Sequence, residues 1–311
     1  MIVTVSLNPA LQVHYEADQV LRLGTANRVS RVRHQASGSG LTVAKLLQTF
    51  GHDVVAAGLA GGSSGELIRI GLARAGVATQ FTRIGAESRR VVRIAAGPAG
   101  QVTSLEEPSP YITTEELGRL AADYRGLLDG AAAVVLCGSL PSGLPAETYG
   151  SLTSYATGAG VPVILDAGGS ALRHGAARGP ALVIPSGLPG DLETGGVQTA
   201  DSLAAGLVAA GAGAVVLPTE GGVRVVTGQG VWQAAAPLAA RPDHDEQAAA
   251  DRRDALVAGF VPGIALGWSW PDMLRHAVAL SCAATTDGAA DLAAYEKLLP
   301  EVTVRGPGIT A

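Results

Sequence analysis

Four adjacent charged residues stand in the stretch DRRDALVAGF: Asp251, Arg252, Arg253 and Asp254. Residues 255–260, which follow, are small or apolar and predict a buried helix. A carboxylate at the start of such a helix can act as a general base, and arginines beside it can bind a phosphate through charge-assisted hydrogen bonds. The same residues also fit a solvated loop with an aspartate N-cap, so these residues alone leave both interpretations open.

The composition indicates a well-buried α/β protein whose partners are small molecules or protein. Of the 311 residues, 47% are hydrophobic, 16% are charged and 42 are glycines. The net charge of −5 gives no electrostatic reason to expect nucleic acid or an anionic membrane as partner. No apolar run approaches the ~20 residues that span a bilayer, and no signal peptide is apparent at the amino end. We therefore expect a cytoplasmic protein, with Cys137 and Cys282 as buried free thiols.

Short apolar runs that end at Gly or Pro alternate with helical segments along most of the chain. These runs predict strands covered on both faces, at residues 1–6, 52–61, 131–141, 161–169, 181–187 and 212–222. Helices are predicted at residues 64–77, 113–131, 145–160 and 199–213, with Thr113 or Thr114 as N-cap of the second. Repeated strand–helix–strand units imply a doubly wound, mainly parallel sheet between two helix layers, in a single domain spanning residues 1–311.

Two segments break this rhythm because apolar and polar side chains alternate along them. They are VHYEADQVLRLGTANRVSRVRHQ and RRVVRIAAGPAGQVTSLEEP. Such alternation is typical of strands with one solvated face, which do not belong in a sheet buried on both faces. The pattern predicts a small β lid beside the main sheet, formed by two inserts at about residues 10–35 and 88–108.

Ligands of open α/β sheets bind at the carboxyl ends of the strands, where four motifs of this chain fall: SLNPA, GSGLTVA, CGSLPSGLP and DRRDALVAGF. Together with LAGGSSGELI and LEEP, and in this order, they resemble the ribokinase (PfkB) carbohydrate kinase family. The likeness is greatest to its 1-phosphofructokinase and tagatose-6-phosphate kinase branch. The resemblance implies a ribokinase-like α/β/α sandwich with a β lid, and ATP-dependent phosphorylation of a phosphosugar. ATP and Mg²⁺ are then the cofactors of an active enzyme. Family members often pair through their lids, so the resemblance allows a homodimer through the lid, while the sequence leaves the oligomeric state open.

The resemblance assigns roles to individual positions of this sequence. Asp254 takes the place of the catalytic Asp that closes the family's GAGD loop. In that loop, two glycines let backbone N–H groups at a helix N-terminus hold the phosphate. Substrate-binding positions fall on Asn8, Gln12, Gly38, Ser39, Gly40, Thr42, Arg89 and Glu107. Nucleotide- or phosphate-binding positions fall on Ser186, Thr219, Gly221, Asp251, Arg252 and Arg253, and no residue is assigned to a metal.

Several of the family's chemical groups are missing at these positions. Ser39 and Thr42 replace the lysine and asparagine of a GGKGVN motif, Gln12 replaces an Asp, and Pro189 replaces a metal-associated Glu. The turns that set the fold remain, whereas groups expected to meet ATP, metal and sugar have changed together. The sequence therefore predicts weak or lost phosphotransfer, with a phosphosugar-binding or regulatory role. The alternative is an active, divergent kinase.

Residues 251–254 carry three structural expectations. Asp254 should lie in the first turn of its helix, with the carboxylate facing the cleft between body and lid. Arg252 or Arg253 should cross the former phosphate site, holding it closed or pairing with Asp251 or Asp254. An arginine paired with Asp254 would depress the pKa of that carboxyl and make it a poor base. In the active alternative, both arginines instead clamp a phosphate.

Other classes of site have weaker support. Gly38, Gly40 and Ala44 form a GxGxxxA pattern, but the preceding RVRHQ is not an apolar strand, and no acid stands ~20 residues further on. The six histidines are scattered without metal-ligand spacing. No G-x-S-x-G turn follows a strand to support a serine hydrolase.

Overall fold

The computed structural model describes residues 1–97, 101–186, 199–219, 222–237, 246–285 and 288–307. Ten of its strands form one sheet: β1 (Ile2–Ser6), β4 (Val54–Gly61), β5 (Ala78–Ile84), β8 (Ala133–Cys137), β9 (Val163–Ala167), β10 (Leu182–Pro185), β11 (Ala214–Thr219), β12 (Gly222–Thr227), β13 (Gly230–Ala235) and β14 (Thr303–Arg305). Their order is β14, β13, β12, β11, β10, β9, β8, β1, β4, β5.

The strands from β11 to β5 in this order are parallel, as the buried apolar runs predict. The antiparallel edge of β12, β13 and β14 was not predicted. Its strands keep one face partly exposed, so they lack the continuous apolar run that marks the parallel strands.

Nine helices of the described residues accompany this sheet: α1 (Ser39–Thr49), α2 (Gly62–Arg74), α3 (Thr114–Leu128), α4 (Thr148–Gly158), α5 (Gly169–Ala176), α6 (Ala200–Ala210), α7 (Glu246–Leu266), α8 (Trp270–Cys282) and α9 (Leu292–Leu298). Two separate hydrophobic clusters lie on the two faces of the sheet. One joins α1, α2, α7 and α8 to side chains such as Ile164 and Ile184, and the other joins α3, α4, α5 and α6 to side chains such as Leu165 and Val183. The sheet is therefore the middle layer of an α/β/α sandwich.

The remaining four strands form a second sheet, here called the small sheet: β2 (Ala10–Ala17), β3 (Arg31–Ser37), β6 (Arg90–Ala96) and β7 (Gln101–Glu106), in the order β3, β2, β6, β7. These strands come from the two alternating segments and lie outside the main sheet. Leu11 and Val13 of β2 are buried in the core shared with α2, whereas β7 is exposed along its whole length. The small sheet thus has unequal faces, which explains the alternating sequence.

Individual residues of the sequence explain where α3 begins and why α7 and α8 pack closely. Thr113 caps α3 in a capping box, accepting a hydrogen bond from the N–H of Glu116, whose side chain in turn accepts one from the N–H of Thr113. Gly259 lets α7 and α8 approach closely, because a Cβ there would lie 2.4 Å from Cα of Ala277. This contact holds the buried half of α7 in place beneath the sheet.

The two cysteines differ in their surroundings. Both are free thiols; Cys137 is buried, whereas Cys282 is exposed. The expectation of burial was therefore wrong for Cys282, because the last turn of α8 ends at the surface. In the described parts of the chain, no helix has the length and apolarity to cross a membrane.

Candidate functional site

Residues 251–254 lie inside α7, not at its beginning. The helix begins at Glu246, about two turns before Asp254, so the prediction of a first-turn position was wrong. The N–H groups of a helix interior bond to carbonyls one turn earlier. Residues 251–253 therefore cannot present bare N–H groups to a phosphate as the family's glycine loop does.

The sequence accounts for this longer helix. Residues 247–253 read QAAADRR. Alanine and arginine have high helix propensity, and none of the seven residues is a glycine or a proline. A glycine in a helix interior costs about 1 kcal/mol relative to alanine. Replacing the family's two glycines by Asp251 and Arg253 thus removes the conformational reason for a loop. The resemblance placed the helix start at a position that these residues do not support.

Asp254 is a buried carboxyl group that holds its proton. Its side chain is among the buried polar groups, and burial raises its pKa to about 8. The negative charge of Asp166 is the second contribution to this raised pKa, whereas a hydrogen bond with the side chain of Ser39 acts in the opposite direction. A lowered pKa was predicted only for an Asp254 paired with an arginine, and the pKa is raised instead because the carboxyl is buried.

Arg253 pairs with Asp166 rather than with Asp251 or Asp254. Its Nε and Nη2 donate to Oδ1 of Asp166 at 3.1 and 2.5 Å, and Nη2 also donates to the carbonyl oxygen of Ile184 at 2.9 Å. The Asp166 side chain is only 3% exposed and stands at the end of β9, beside Ile184 on β10. The predicted partners of Arg253 were therefore wrong. A buried carboxylate needs a paired cation, and Asp166 has Arg253 within reach.

Asp251 belongs to a polar chain that connects α7 to the small sheet. Gln247 donates from Nε2 to Oδ1 of Asp251 at 2.9 Å, and it accepts at Oε1 from Nη1 of Arg93 on β6 at 3.1 Å. Asp251 is 3% exposed. The first two turns of α7 thus lie against the small sheet, where the resemblance implies a sugar cleft. The neighbouring Arg252 accepts a hydrogen bond at its carbonyl oxygen from Ser281 of α8.

A cavity of about 670 Å³ opens beside Arg253, at the carboxyl ends of β8, β9 and β10. It is lined by Ser39, Gly138, Ser139, Leu140, Pro141, Ser142, Gly143, Leu144, Ala146, Asp166, Gly168, Gly169, Ser170, Ala171, Ser186 and Arg253. Three predicted site residues meet here: Ser39, Ser186 and Arg253. Asp254 is not among the lining residues, but its side chain hydrogen-bonds to Ser39, which is one of them.

No role was predicted for the other polar residues of this cavity, Asp166, Ser139, Ser142 and Ser170. Ser139 and Ser142 nevertheless lie in CGSLPSGLP, the motif that was expected at the ligand edge of the sheet. The run VILDAGG carried a usable signal for Asp166, since a carboxylate at the carboxyl end of a buried parallel strand points to the ligand edge of the sheet.

Near the cavity, Asn8, Gly38 and Gly40 each have a structural role. Asn8 donates from Nδ2 to the hydroxyls of Ser109 and Ser139 at 2.7 and 3.1 Å. Gly38, with φ of 132°, begins α1 in a conformation that favours glycine. A Cβ on Gly40 would lie 2.5 Å from Oγ of Ser6, so Gly40 lets α1 approach β1.

Two further predicted substrate positions, Gln12 and Thr42, are buried and do not line the cavity. On the small sheet, Arg89 forms an ion pair with Glu106 at 3.4 Å. Glu107 accepts from both the backbone N–H and Nε of Arg90 at 2.8 Å, and these bonds lower its pKa. The structure therefore does not bring Arg89 and Glu107 to the cavity.

Thr219 is exposed at the end of β11, where it pairs with Gly222 of β12. Gly221 and Pro189 lie outside the described residues. The groups present do not fit Mg²⁺·ATP in the family's manner, because the N–H groups of residues 251–253 are inside a helix and the buried Asp251 adds negative charge there. Within the ranges that the structure describes, no cluster of three or more His, Cys, Asp or Glu could hold a metal ion.

Residues 10–296 match the family described as pfkB family carbohydrate kinase. A structure described as a "possible 1-phosphofructokinase" from Thermotoga maritima is 25% identical, covers 98% of this chain and 99% of its own, and has a TM-score of 0.81. Phosphofructokinase-2 from Escherichia coli in complex with fructose-6-phosphate is 24% identical over 96% and 98% of the two chains, with a TM-score of 0.81. The tetrameric inhibited form of that enzyme gives the same values.

Proposed function

The chain belongs to the pfkB family of carbohydrate kinases, and we propose that it binds a sugar phosphate but transfers phosphate from ATP weakly or not at all. A phosphosugar-binding or regulatory role then takes the place of ordinary turnover. One observation carries this proposal: residues 251–253 continue α7, so their N–H groups are not available to a transferred phosphate. Loss of a donor to developing transition-state charge costs about 10²-fold or more in rate.

The state of Asp254 supports the same conclusion. A general base must be ionised and must reach the hydroxyl group that it deprotonates. Because burial raises its pKa to about 8, Asp254 holds its proton in most molecules at pH 7. The carboxyl also does not line the cavity, whereas its hydrogen-bond partner Ser39 does. Both features disfavour proton abstraction from a sugar in the cavity.

An active, divergent kinase is the second candidate, because Arg253 lines the cavity beside Ser39. In that case the ionised fraction of Asp254 is the base, and Arg252 and Arg253 clamp the phosphate. Such an enzyme uses ATP and Mg²⁺, and its activity rises with pH as Asp254 ionises.

Binding and turnover measurements separate the two candidates. Isothermal titration with Mg²⁺·ATP, fructose 1-phosphate, fructose 6-phosphate and tagatose 6-phosphate gives binding, and release of ADP gives turnover. We expect binding of at least one sugar phosphate, and turnover at least ~10²-fold below that of E. coli phosphofructokinase-2 assayed in parallel. Robust turnover that Asp254→Asn abolishes would establish the active kinase instead.

We also propose that the protein forms a homodimer through the small sheet. Val32 and Leu105 are large apolar side chains that are 49% and 58% exposed. Val32 pairs with Tyr15, and Leu105 pairs with Val92. Because directly paired residues share a face and β2 pairs in register with β6, these four side chains stand on one face across all four strands. Tyr15 and Val92 pack against the core shared with α2, so the exposed part of this face is Val32 on β3 and Leu105 on β7. A second small sheet covering these two side chains would remove them from water.

A further inference from the structure

The cavity beside Arg253 has the size of a small-molecule site. Its volume of about 670 Å³ lies within the range of about 300–1,000 Å³ that is usual for ligand pockets. Many of its lining residues lie at or just after the carboxyl ends of three adjacent parallel strands, β8, β9 and β10. This is the edge at which open α/β sheets bind ligands.

Hydroxyl groups make up much of the polar wall. The cavity is lined by the side chains of Ser39, Ser139, Ser142, Ser170 and Ser186. A serine hydroxyl can both donate and accept a hydrogen bond, so this wall suits a ligand that itself carries hydroxyl groups.

Among the described residues that line the cavity, Arg253 and Asp166 are the only ones with charged side chains. Nε and Nη2 of Arg253 bond to Asp166, and Nη2 also bonds to the carbonyl of Ile184. Nη1 takes part in none of these bonds, and the side chain is 23% exposed. The ion pair therefore fixes the orientation of the guanidinium while some of its five N–H donors remain for a ligand.

The charge balance limits what the cavity can accept. Asp166 is compensated by Arg253, and Asp254 behind Ser39 is mostly neutral at pH 7. One paired cation can hold a single terminal phosphate by charge-assisted hydrogen bonds, but it leaves a polyphosphate largely uncompensated. Arg89, which the resemblance associates with the substrate phosphate, is engaged with Glu106 and does not line the cavity.

We propose that this cavity binds a phosphomonoester of a small polyol or sugar, with Arg253 as the anchor of the phosphate and the serine hydroxyls as partners of the polyol. The inference rests on the proposed sugar-phosphate binding. It adds that the phosphate end of the ligand lies against α7, not against Arg89 of the small sheet.

The test compares ligand binding by the wild type with that of a double variant, Arg253→Met with Asp166→Asn. Both charges are removed, so that no buried carboxylate is left unpaired. Isothermal titration uses fructose 1-phosphate, fructose 6-phosphate, tagatose 6-phosphate, fructose and inorganic phosphate. We expect the double variant to bind the sugar phosphate at least ~10-fold more weakly and inorganic phosphate not measurably, with fructose unaffected.

A matched control removes an ion pair outside the cavity. Arg224→Met with Asp201→Asn deletes the 3.0 Å pair between β12 and α6, and it should leave binding unchanged. If the first double variant does not fold, as circular dichroism will show, Arg253→Lys replaces it. Lysine keeps the charge but lacks the planar fork, so we expect severalfold weaker binding of the sugar phosphate.

Each outcome separates this inference from the proposed function. Sugar-phosphate binding that is equal in the wild type and the Arg253 variants, or that only Arg89→Met abolishes, overturns the inference and leaves the proposed function standing. Binding of inorganic phosphate that requires Arg253, without binding of any sugar phosphate, retains the anchor and overturns the proposed function. A wild type that binds none of these phosphates overturns both.

Discussion

At the scale of single residues, the charges of DRRD are distributed over three separate partners. Arg253 neutralises the buried Asp166, Asp251 bonds to Gln247, and Asp254 remains protonated beside Ser39. This arrangement avoids two ionised carboxylates competing for one guanidinium in a buried space. The charged stretch therefore stabilises the contact between α7 and the carboxyl ends of the strands. Of its four residues, only Arg253 lines the cavity.

We predict that Asp254 makes the stability of the protein depend on pH. The ordinary pKa of the carboxyl is 3.8, and the folded value is about 8. Between these values the folded state holds a proton that the unfolded state releases, so the free energy of unfolding falls as pH rises from about 4 to about 8. Asp254→Asn removes this loss, and at pH 9 it should be more stable than the wild type by at least about 1 kcal/mol, the equivalent of one pKa unit.

Urea unfolding of both proteins at pH 5, 7 and 9 measures this difference. The gain of the Asn variant should be smallest at pH 5 and largest at pH 9. Glu66→Asn, which removes an exposed carboxylate from α2, is the control and should show no such trend. A constant difference between Asp254→Asn and the wild type at all three pH values contradicts the assigned pKa direction.

At the scale of secondary structure, the extension of α7 is the main departure from the family's loop. The helix runs for 21 residues from Glu246. Its first turns reach the small sheet through Gln247 and Arg93, and its later turns pack against α8 through Gly259. One continuous helix thus connects the small sheet to the main core.

Restoring the family's residues should loosen this helix without restoring catalysis. The triple variant Asp251→Gly, Arg252→Ala, Arg253→Gly places two glycines in a helix interior, at a cost of roughly 2 kcal/mol. We expect backbone amides at residues 247–253 to exchange hydrogen at least ~10-fold faster than in a triple-alanine variant of the same positions. ATP turnover should stay at background, because Ser39 and Thr42 still lack the family's lysine and asparagine.

The triple-alanine variant is the matched control, since it removes the same charges but favours the helix. Equal exchange in the two variants would falsify the assignment of the helix extension to local propensity. Kinase activity in the glycine variant would show that the helix alone prevents turnover.

At the scale of the whole molecule, the proposed homodimer places the small sheet between two copies of the chain. For the proposed homodimer we predict that Leu105→Asp shifts the protein from dimer to monomer. A charge at this position cannot be buried without a partner, and each large apolar side chain contributes about 1.5–3 kcal/mol when covered. Light scattering after size exclusion, at micromolar concentration, measures the mass.

Val102→Asp is the control for this prediction. Val102 is 47% exposed, but it pairs with Ala95 and lies on the opposite face of the small sheet from Leu105. It should leave the mass unchanged. A monomeric wild type, or a dimer that persists in Leu105→Asp, contradicts the proposed interface.

The amino-acid sequence by itself determined the layers of this protein. Continuous apolar runs such as those of β8 and β9 require cover on both faces, and the alternating runs of the small sheet require it on one, so burial alone separates the two sheets. The cap of α3 was likewise readable, because Thr113 and Glu116 are three residues apart. The sequence also carried a signal for an earlier start of α7, since three alanines, which favour a helix, precede Asp251.

Only the tertiary structure decided which charges meet. Arg253 and Asp166 are 87 residues apart in the chain, and they pair because the end of β9 lies beneath α7 in the folded molecule. The protonation of Asp254 likewise depends on its burial and on the nearby charge of Asp166. Electrostatic energies vary with distance and local dielectric, and neither quantity exists until the sheet has brought distant strand ends together.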